Sequence, residues 1–291
     1  MRANGTWERT GALWAACGLL VCACAGSGAA EARAARGERE KGEPVITVVY
    51  DNRSSSEALT PAWGFACLVE GLDKTILFDT GGDAETLLGN MSALGVSRHE
   101  IDVVVLSHDH ADHTGGLIGL LDVHSQATVY LLDTFSSHLV GDARRSGATV
   151  VAVTEPLEVC AGATLTGPMV GSSGIPEQSL VLSSGDGAAV VTGCAHPGIV
   201  EIVERAGEVS GCDVLAALGG FHLFRTGENG IRRTAERLVD RGVRRAGPCH
   251  CSGDLGIEVF ERVYGSDFLR VEAGTRLRLA ELIQGDGSGA N

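Results

Sequence analysis

After residue 23 the sequence has no second long apolar run, no excess of positive charge and no recognisable cysteine framework. Without another apolar run, the remainder reads as a globular domain rather than a set of membrane spans. With 23 Lys and Arg against 37 Asp and Glu, a net charge of −14, nucleic acid is not the expected partner. The cysteines beyond Cys24 are Cys67, Cys160, Cys194, Cys212, Cys249 and Cys251. Their even number permits disulfides, but the spacings match no small scaffold, so they read as small buried residues with at most one bridge. Cys249-His250-Cys251 also lacks the distant partner pair of a zinc finger.

The apolar run that does exist stands at the start. Arg2 and Arg9 accompany an uncharged segment over 11–23 that is short for a bilayer and ends Val21-Cys22-Ala23-Cys24. This resembles a bacterial lipoprotein signal, which implies cleavage before Cys24 and a lipid on its thiol. Secretion with cleavage after Gly28-Ala29-Ala30, and an uncleaved anchor, are the other readings. The lipoprotein reading is preferred: a signal over 1–23 and an exported, envelope-bound protein, with a secreted or periplasmic protein as its alternative. Residues 24–43 have almost no apolar bulk and read as a flexible tether. Residues 44–284 are long enough for one large domain, and 285–291 read as a disordered Gly/Ser tail.

The centre of that domain is Ser107-His108-Asp109-His110-Ala111-Asp112-His113-Thr114-Gly115-Gly116. A buried-strand pattern over 103–106 precedes it and a helix start over 117–121 follows, so the histidines leave a strand end, where α/β folds place their sites. Imidazole and carboxylate suit Zn²⁺, Mn²⁺ or Fe²⁺. In an extended loop His108 and His110 can point to one ion, while Asp112 and His113 turn toward a second.

The order His-x-His-x-Asp-His resembles the metal-binding signature of the metallo-β-lactamase-fold hydrolase superfamily. The resemblance implies an α/β fold, a four-layer αββα sandwich, holding one or two divalent metal ions. It places His108, His110 and His196 on one ion and Asp112, His113 and His250 on the other. His196 lies in Gly193-Cys194-Ala195-His196-Pro197-Gly198 and His250 in Pro248-Cys249-His250-Cys251-Ser252-Gly253, each after a predicted strand and before a predicted helix. Asp79, in Phe78-Asp79-Thr80-Gly81, matches the superfamily's strand-end Asp that orients ligands. Asn52, Gly64-Phe65, Asn90-Met91 and Gly219-Gly220-Phe221-His222-Leu223 resemble a subgroup that includes a dihydropterin–ribofuranosylaminobenzene phosphate synthase. Most superfamily members carry a bridging Asp where this chain has Gly219-Gly220-Phe221-His222, and the subgroup usually has Thr where Ser252 stands.

The resemblance implies a hydrolase that attacks a small ester, lactone or phosphodiester with a metal-activated hydroxide, since zinc lowers the pKa of bound water to about 7. Asp112 and His222 are the catalytic candidates: Asp112 orients that water or accepts its proton, while substrate contact, metal ligation and packing are three readings of His222. The alternatives are a pterin-related transferase, poorly suited to an exported protein, and a non-catalytic metal-binding surface lipoprotein.

Further expectations are local. Strands are predicted over 45–50, 65–70, 75–79, 127–132, 148–153, 180–183, 188–192, 214–218, 243–246, 268–271 and 276–283. Helices are predicted over 83–94, with Asp83 as N-cap, and over 133–139, 198–209, 230–241 and 254–264. The Gly- and Pro-rich stretch 164–177 reads as a loop over the site, and Glu177-Gln178 as a simple turn. His99, His124 and His138 read as surface or packing residues.

Overall fold

Runs of β-branched and aliphatic residues build the frame. In a computed structural model, which describes residues 42–284 other than Asp186, they form two large sheets and a two-stranded ribbon. The predicted signal over 1–23, Cys24, nearly all of the tether and the tail from 285 lie outside the described residues. No helix among the described residues is long and apolar enough to cross a membrane.

The first strands in order are β1 (Val45–Tyr50), β2 (Ala66–Glu70), β3 (Ile76–Phe78), β4 (Val103–Val105), β5 (Thr128–Leu132) and β6 (Thr149–Val153). Then come β7 (Leu157–Cys160), β8 (Ala163–Leu165), β9 (Met169–Val170), β10 (Pro176–Glu177), β11 (Leu180–Ser184), β12 (Gly187–Thr192), β13 (Asp213–Gly220), β14 (Arg245–Cys249) and β15 (Arg276–Arg278). One sheet has the order β15-β1-β2-β3-β4-β5-β6, the other β14-β13-β12-β11-β8-β7. Strands β3 to β6 are parallel, as are β12 to β14, so the carboxyl ends of each set share one edge of their sheet.

Alternation along the strands sorts side chains between layers. Leu180, Leu182, Ala189, Val191 and Leu218 join Val69, Leu77 and Val104 of the first sheet in one core. Val181, Ala188, Val190 and Ala217 face the other way, onto α5 (Ile199–Ser210), α6 (Glu228–Asp240) and α7 (Gly253–Tyr264). Outside the first sheet lie α1 (Ala84–Ala93), then, after the short α2 (Ala111–Thr114), α3 (Leu117–Val123) and α4 (Ser137–Arg145). The result is the expected αββα arrangement. Asp83 caps α1, its Oδ1 accepting the Thr86 N–H at 2.7 Å.

Four local expectations are corrected. The helix predicted over 133–139 forms later, as α4, because Asp133 and Thr134 turn and Ser136 caps, its Oγ accepting the Leu139 N–H. Residues 268–271 form no strand, and Phe268 makes a single bridge to Ala246. The strand predicted over 276–283 stops at Arg278, and α8 (Leu279–Ile283) follows, burying Leu279 and Leu282 at helical spacing. The stretch 164–177 is not an open loop: β9 and β10 pair as a two-stranded ribbon, and Ser173 Oγ donates to His196 O at 3.3 Å.

Candidate metal centre

The site forms where strands from both sheets end. Residues following β3, β12, β13 and β14 include Asp79, Ala195, His222 and His250, with φ of 58°, 56°, 51° and 47°. These are the positive-φ residues other than glycine among the described residues. Left-handed backbone at a residue with a Cβ costs about 1–2 kcal/mol, and here it turns chain ends inward at one place.

His108, His110 and His196 offer ligand atoms that all lie within 4.8 Å of one another, as do Asp112, His113 and His250. His108 Nε2 and His110 Nδ1 are 3.0 Å apart. Asp112 Oδ2 is 3.3 Å from His250 Nε2 and 3.8 Å from His113 Nε2. His108, His113, His196 and His250 are buried, while His110 is exposed and Asp112 half-buried.

Each buried imidazole is held by its Nδ1. That of His113 donates to Asp79 Oδ2 (2.7 Å), that of His196 to Glu177 Oε2 (2.8 Å) and that of His250 to Asn52 Oδ1 (3.1 Å). Ser107 Oγ donates to Asp79 Oδ2 (2.8 Å) and lies 2.9 Å from His108 Nδ1, from which it accepts. These bonds fix the tautomer and leave Nε2 lone pairs directed into the common space, the form that binds metal. Burial, followed by the neighbouring imidazoles, pushes His108 and His113 down to about 3, so both are neutral at pH 7. His250 Nε2 is buried without a hydrogen bond. An orphaned buried acceptor beside a carboxylate, in a set of imidazoles and oxygens, fits a divalent ion.

Two acids support the set from behind. Asp79 is fully buried, and burial pushes it up to about 7 despite the bonds from Ser107 and the field of His108. Glu177 corrects the simple-turn reading. It is buried at the end of β10, where Oε1 accepts from Thr192 Oγ1, Cys194 N and Ala195 N, and Oε2 from His196 N and Nδ1. Burial alone would raise this carboxyl. The His196 bond, the electrostatic pull of the neighbouring His108 ring and the backbone donors outweigh it and hold Glu177 well below the usual carboxylate range. Nothing local in Pro176-Glu177-Gln178 announces that environment. Gln178 braces the histidine loop in turn, its N–H donating to Ser107 O and its Nε2 to Leu106 O.

Trp63 was also not singled out by the sequence. Its Nε1–H donates to Asp112 Oδ2 at 2.8 Å, and its ring lies 4.9 Å from that of His250. Burial would raise Asp112, but the electrostatic influence of the adjacent His250 and His113 rings holds it well below the usual range. His222 is exposed, its ring 4.6 Å from His196 and 5.2 Å from Phe224. Ser252 Oγ accepts the Phe221 N–H at 3.0 Å.

A carboxylate at position 220 is sterically barred. A Cβ on Gly220 would stand 2.3 Å from Gly193 O and 2.7 Å from Cys251 Sγ. The six cysteines beyond Cys24 are all free, so no bridge forms among the described residues. His124 packs, bonding Ile101 O at 2.8 Å, while His99 and His138 stand outside the site.

The two sheets and the histidine loop define a class. The sequence profile of the metallo-beta-lactamase superfamily matches residues 64–250, and the chain belongs to that superfamily. Its members bind divalent metals, and the groups around His108 and Asp112 are this chain's candidates. The chain is 29% identical over 265 residues to 7,8-dihydropterin-6-methyl-4-(beta-D-ribofuranosyl)-aminobenzene-5'-phosphate synthase of Methanocaldococcus jannaschii, covering 74% of this chain and 90% of that protein. It resembles a crystal structure of a metal-dependent hydrolase of the beta-lactamase superfamily, with TM-score 0.69 and 26% identity over 81% of this chain and 99% of that one. A diphosphatase from the PhnP family shares the fold, with TM-score 0.54 and 18% identity over 81% of this chain and 97% of the other.

Proposed function

We propose that this protein is a metal-dependent hydrolase of a small ester, lactone or phosphodiester. His108, His110 and His196 would hold one divalent ion, and Asp112, His113 and His250 a second; zinc suits these donors, as do manganese and iron. The observation that carries the reading is the convergence of both ligand groups at one edge, with the buried Nδ1 atoms tied back and His250 Nε2 unpartnered. Bound there, such ions supply Lewis acidity toward a carbonyl or phosphoryl oxygen and acidify water. Asp79 and Glu177 keep the imidazoles in their ligating tautomers. The Trp63 bond fixes the Asp112 carboxylate, which suits it to orienting the attacking water. Trp63 and Phe224, both exposed, stand beside His250 and His222 and would contact the apolar part of a small substrate.

A second reading, a pterin-related transfer reaction, draws support from the 29% identical synthase. Export, which we propose from the segment ending at Cys24, weighs against it. Mass analysis of the mature N-terminus tests that: a lipidated Cys24 supports envelope anchoring, and a terminus at Glu31 supports ordinary secretion.

Metal content measured beside hydrolysis of ester, lactone and phosphodiester probes tests the main reading. Chelator-sensitive turnover is expected. At saturating metal, Asp112→Asn should lose about 100-fold or more in kcat, the range of acid–base and orienting groups, while losing far less metal. Bound metal without turnover on any probe would favour the transfer or pure binding readings.

A further inference from the structure

Beside the two ligand groups lies a third constellation that the proposed reaction does not use. Cys194 Sγ, Cys251 Sγ and a ring nitrogen of His222 all lie within 4.8 Å of one another. They come from three different strand ends, after β12, β13 and β14. Both sulfurs are buried and His222 is exposed, so the group opens to solvent on the imidazole side. Cys194 Sγ also stands 3.3 Å from His113 Nε2, at the border of the Asp112 group. Cys251 Sγ occupies the space that any side chain at position 220 would need. His222 holds a strained φ of 51°, and its ring faces His196 rather than packing in either core.

We propose that Cys194, Cys251 and His222 form a third metal site, selective for a thiophilic ion such as Zn²⁺, Cd²⁺ or Cu⁺. Two thiolates and one imidazole are a donor set that holds tetrahedral zinc with a fourth position open, and sulfur sets it apart in softness from the neighbouring nitrogen and oxygen groups. Binding displaces the two thiol protons to solvent, and for a divalent ion the two thiolates balance its charge. The sulfur side is closed by Gly220 and the strand ends, so the open position faces the exposed edge where His222 stands.

Titration of the metal-free full chain with Co²⁺, followed by absorption, tests this. A thiolate-to-cobalt charge-transfer band in the near ultraviolet is expected, with one more metal equivalent bound than in Cys251→Ser. Cys194→Ser should also lose the band, and His222→Ala should weaken binding of that equivalent. X-ray absorption of the wild-type zinc protein keeps the test independent of how variants fold: a Zn–S path near ~2.3 Å is expected. Absence of sulfur scattering from fully loaded wild type overturns the proposal. So does a band that survives both cysteine substitutions, or a Cys194–Cys251 disulfide as the sole form after purification under reducing conditions. The readouts are absorption and stoichiometry, so loss of turnover with the band intact counts against the hydrolase reading alone.

Discussion

Glu177 Oε2 accepts both the backbone N–H and the ring Nδ1–H of His196, at 2.9 and 2.8 Å, at the end of a short ribbon remote in sequence from the histidine loop. One buried carboxylate thereby fixes the backbone turn that delivers His196 and the tautomer that leaves its Nε2 free. Glu177→Gln should therefore lower affinity for the His108/His110/His196 ion by about 10–100-fold, as loss of a ligand's outer partner does. Competition with a chromophoric chelator measures it. Glu177→Ala, which strands several donors, should cost about 3–5 kcal/mol of stability, the scale of a buried network losing its charge partner; denaturant melts read that.

Trp63 is a built-in reporter. The chain's other tryptophans are Trp7 and Trp14, so a chain starting at Cys24 has Trp63 alone. Its ring beside His250 and its bond to Asp112 predict that zinc titration of that chain changes the emission until the Asp112 group fills. Trp63→Phe should abolish the signal and lower kcat/KM by about tenfold, the ~1.5 kcal/mol of a hydrogen bond to a charged group.

Gly220→Ala tests the close packing of β13 against the neighbouring strand ends. The added methyl meets Gly193 O and Cys251 Sγ, so a loss of about 1–3 kcal/mol is expected, as for other overpacked positions. An unchanged denaturation midpoint would mean that the strand ends separate more readily than these distances indicate.

Tyr50 gives a pH prediction away from the metal ligands. Its hydroxyl donates to Asp83 Oδ2 at 2.9 Å, and burial, then the Asp83 bond and charge, push its pKa up to about 12 from 10.0. The unfolded chain then loses this proton first as pH rises. The contribution to stability is whole below pH 10 and falls away as pH climbs toward about 12. Tyr50→Phe should show a shallower alkaline decline in unfolding free energy than the wild type.

Much of this was legible in residue order. The apolar runs from Val45 to Val105, the Asp83 cap and the strand patterns before His196 and His250 are local, and local hydrophobic periodicity dictates them. His108, His110, Asp112 and His113 share one loop, so their spacing alone announced metal chemistry. The final segment departs from the predicted strand because Leu279 and Leu282 bury at helical spacing once the chain leaves β15.

What the sequence by itself determined was a strand-end loop of imidazoles and a carboxylate suited to metal, because that depends on local periodicity and donor types, while the αββα class and the two candidate ligand groups came through the family resemblance those motifs carry. What only the tertiary structure decided was which distant residues surround them. Glu177, Trp63 and Asn52 act through hydrogen bonds across the fold, and Cys194, Cys251 and His222 meet because parallel strands end side by side. Such meetings follow from sheet register and from left-handed turns at Asp79, Ala195, His222 and His250, and no local pattern encodes them.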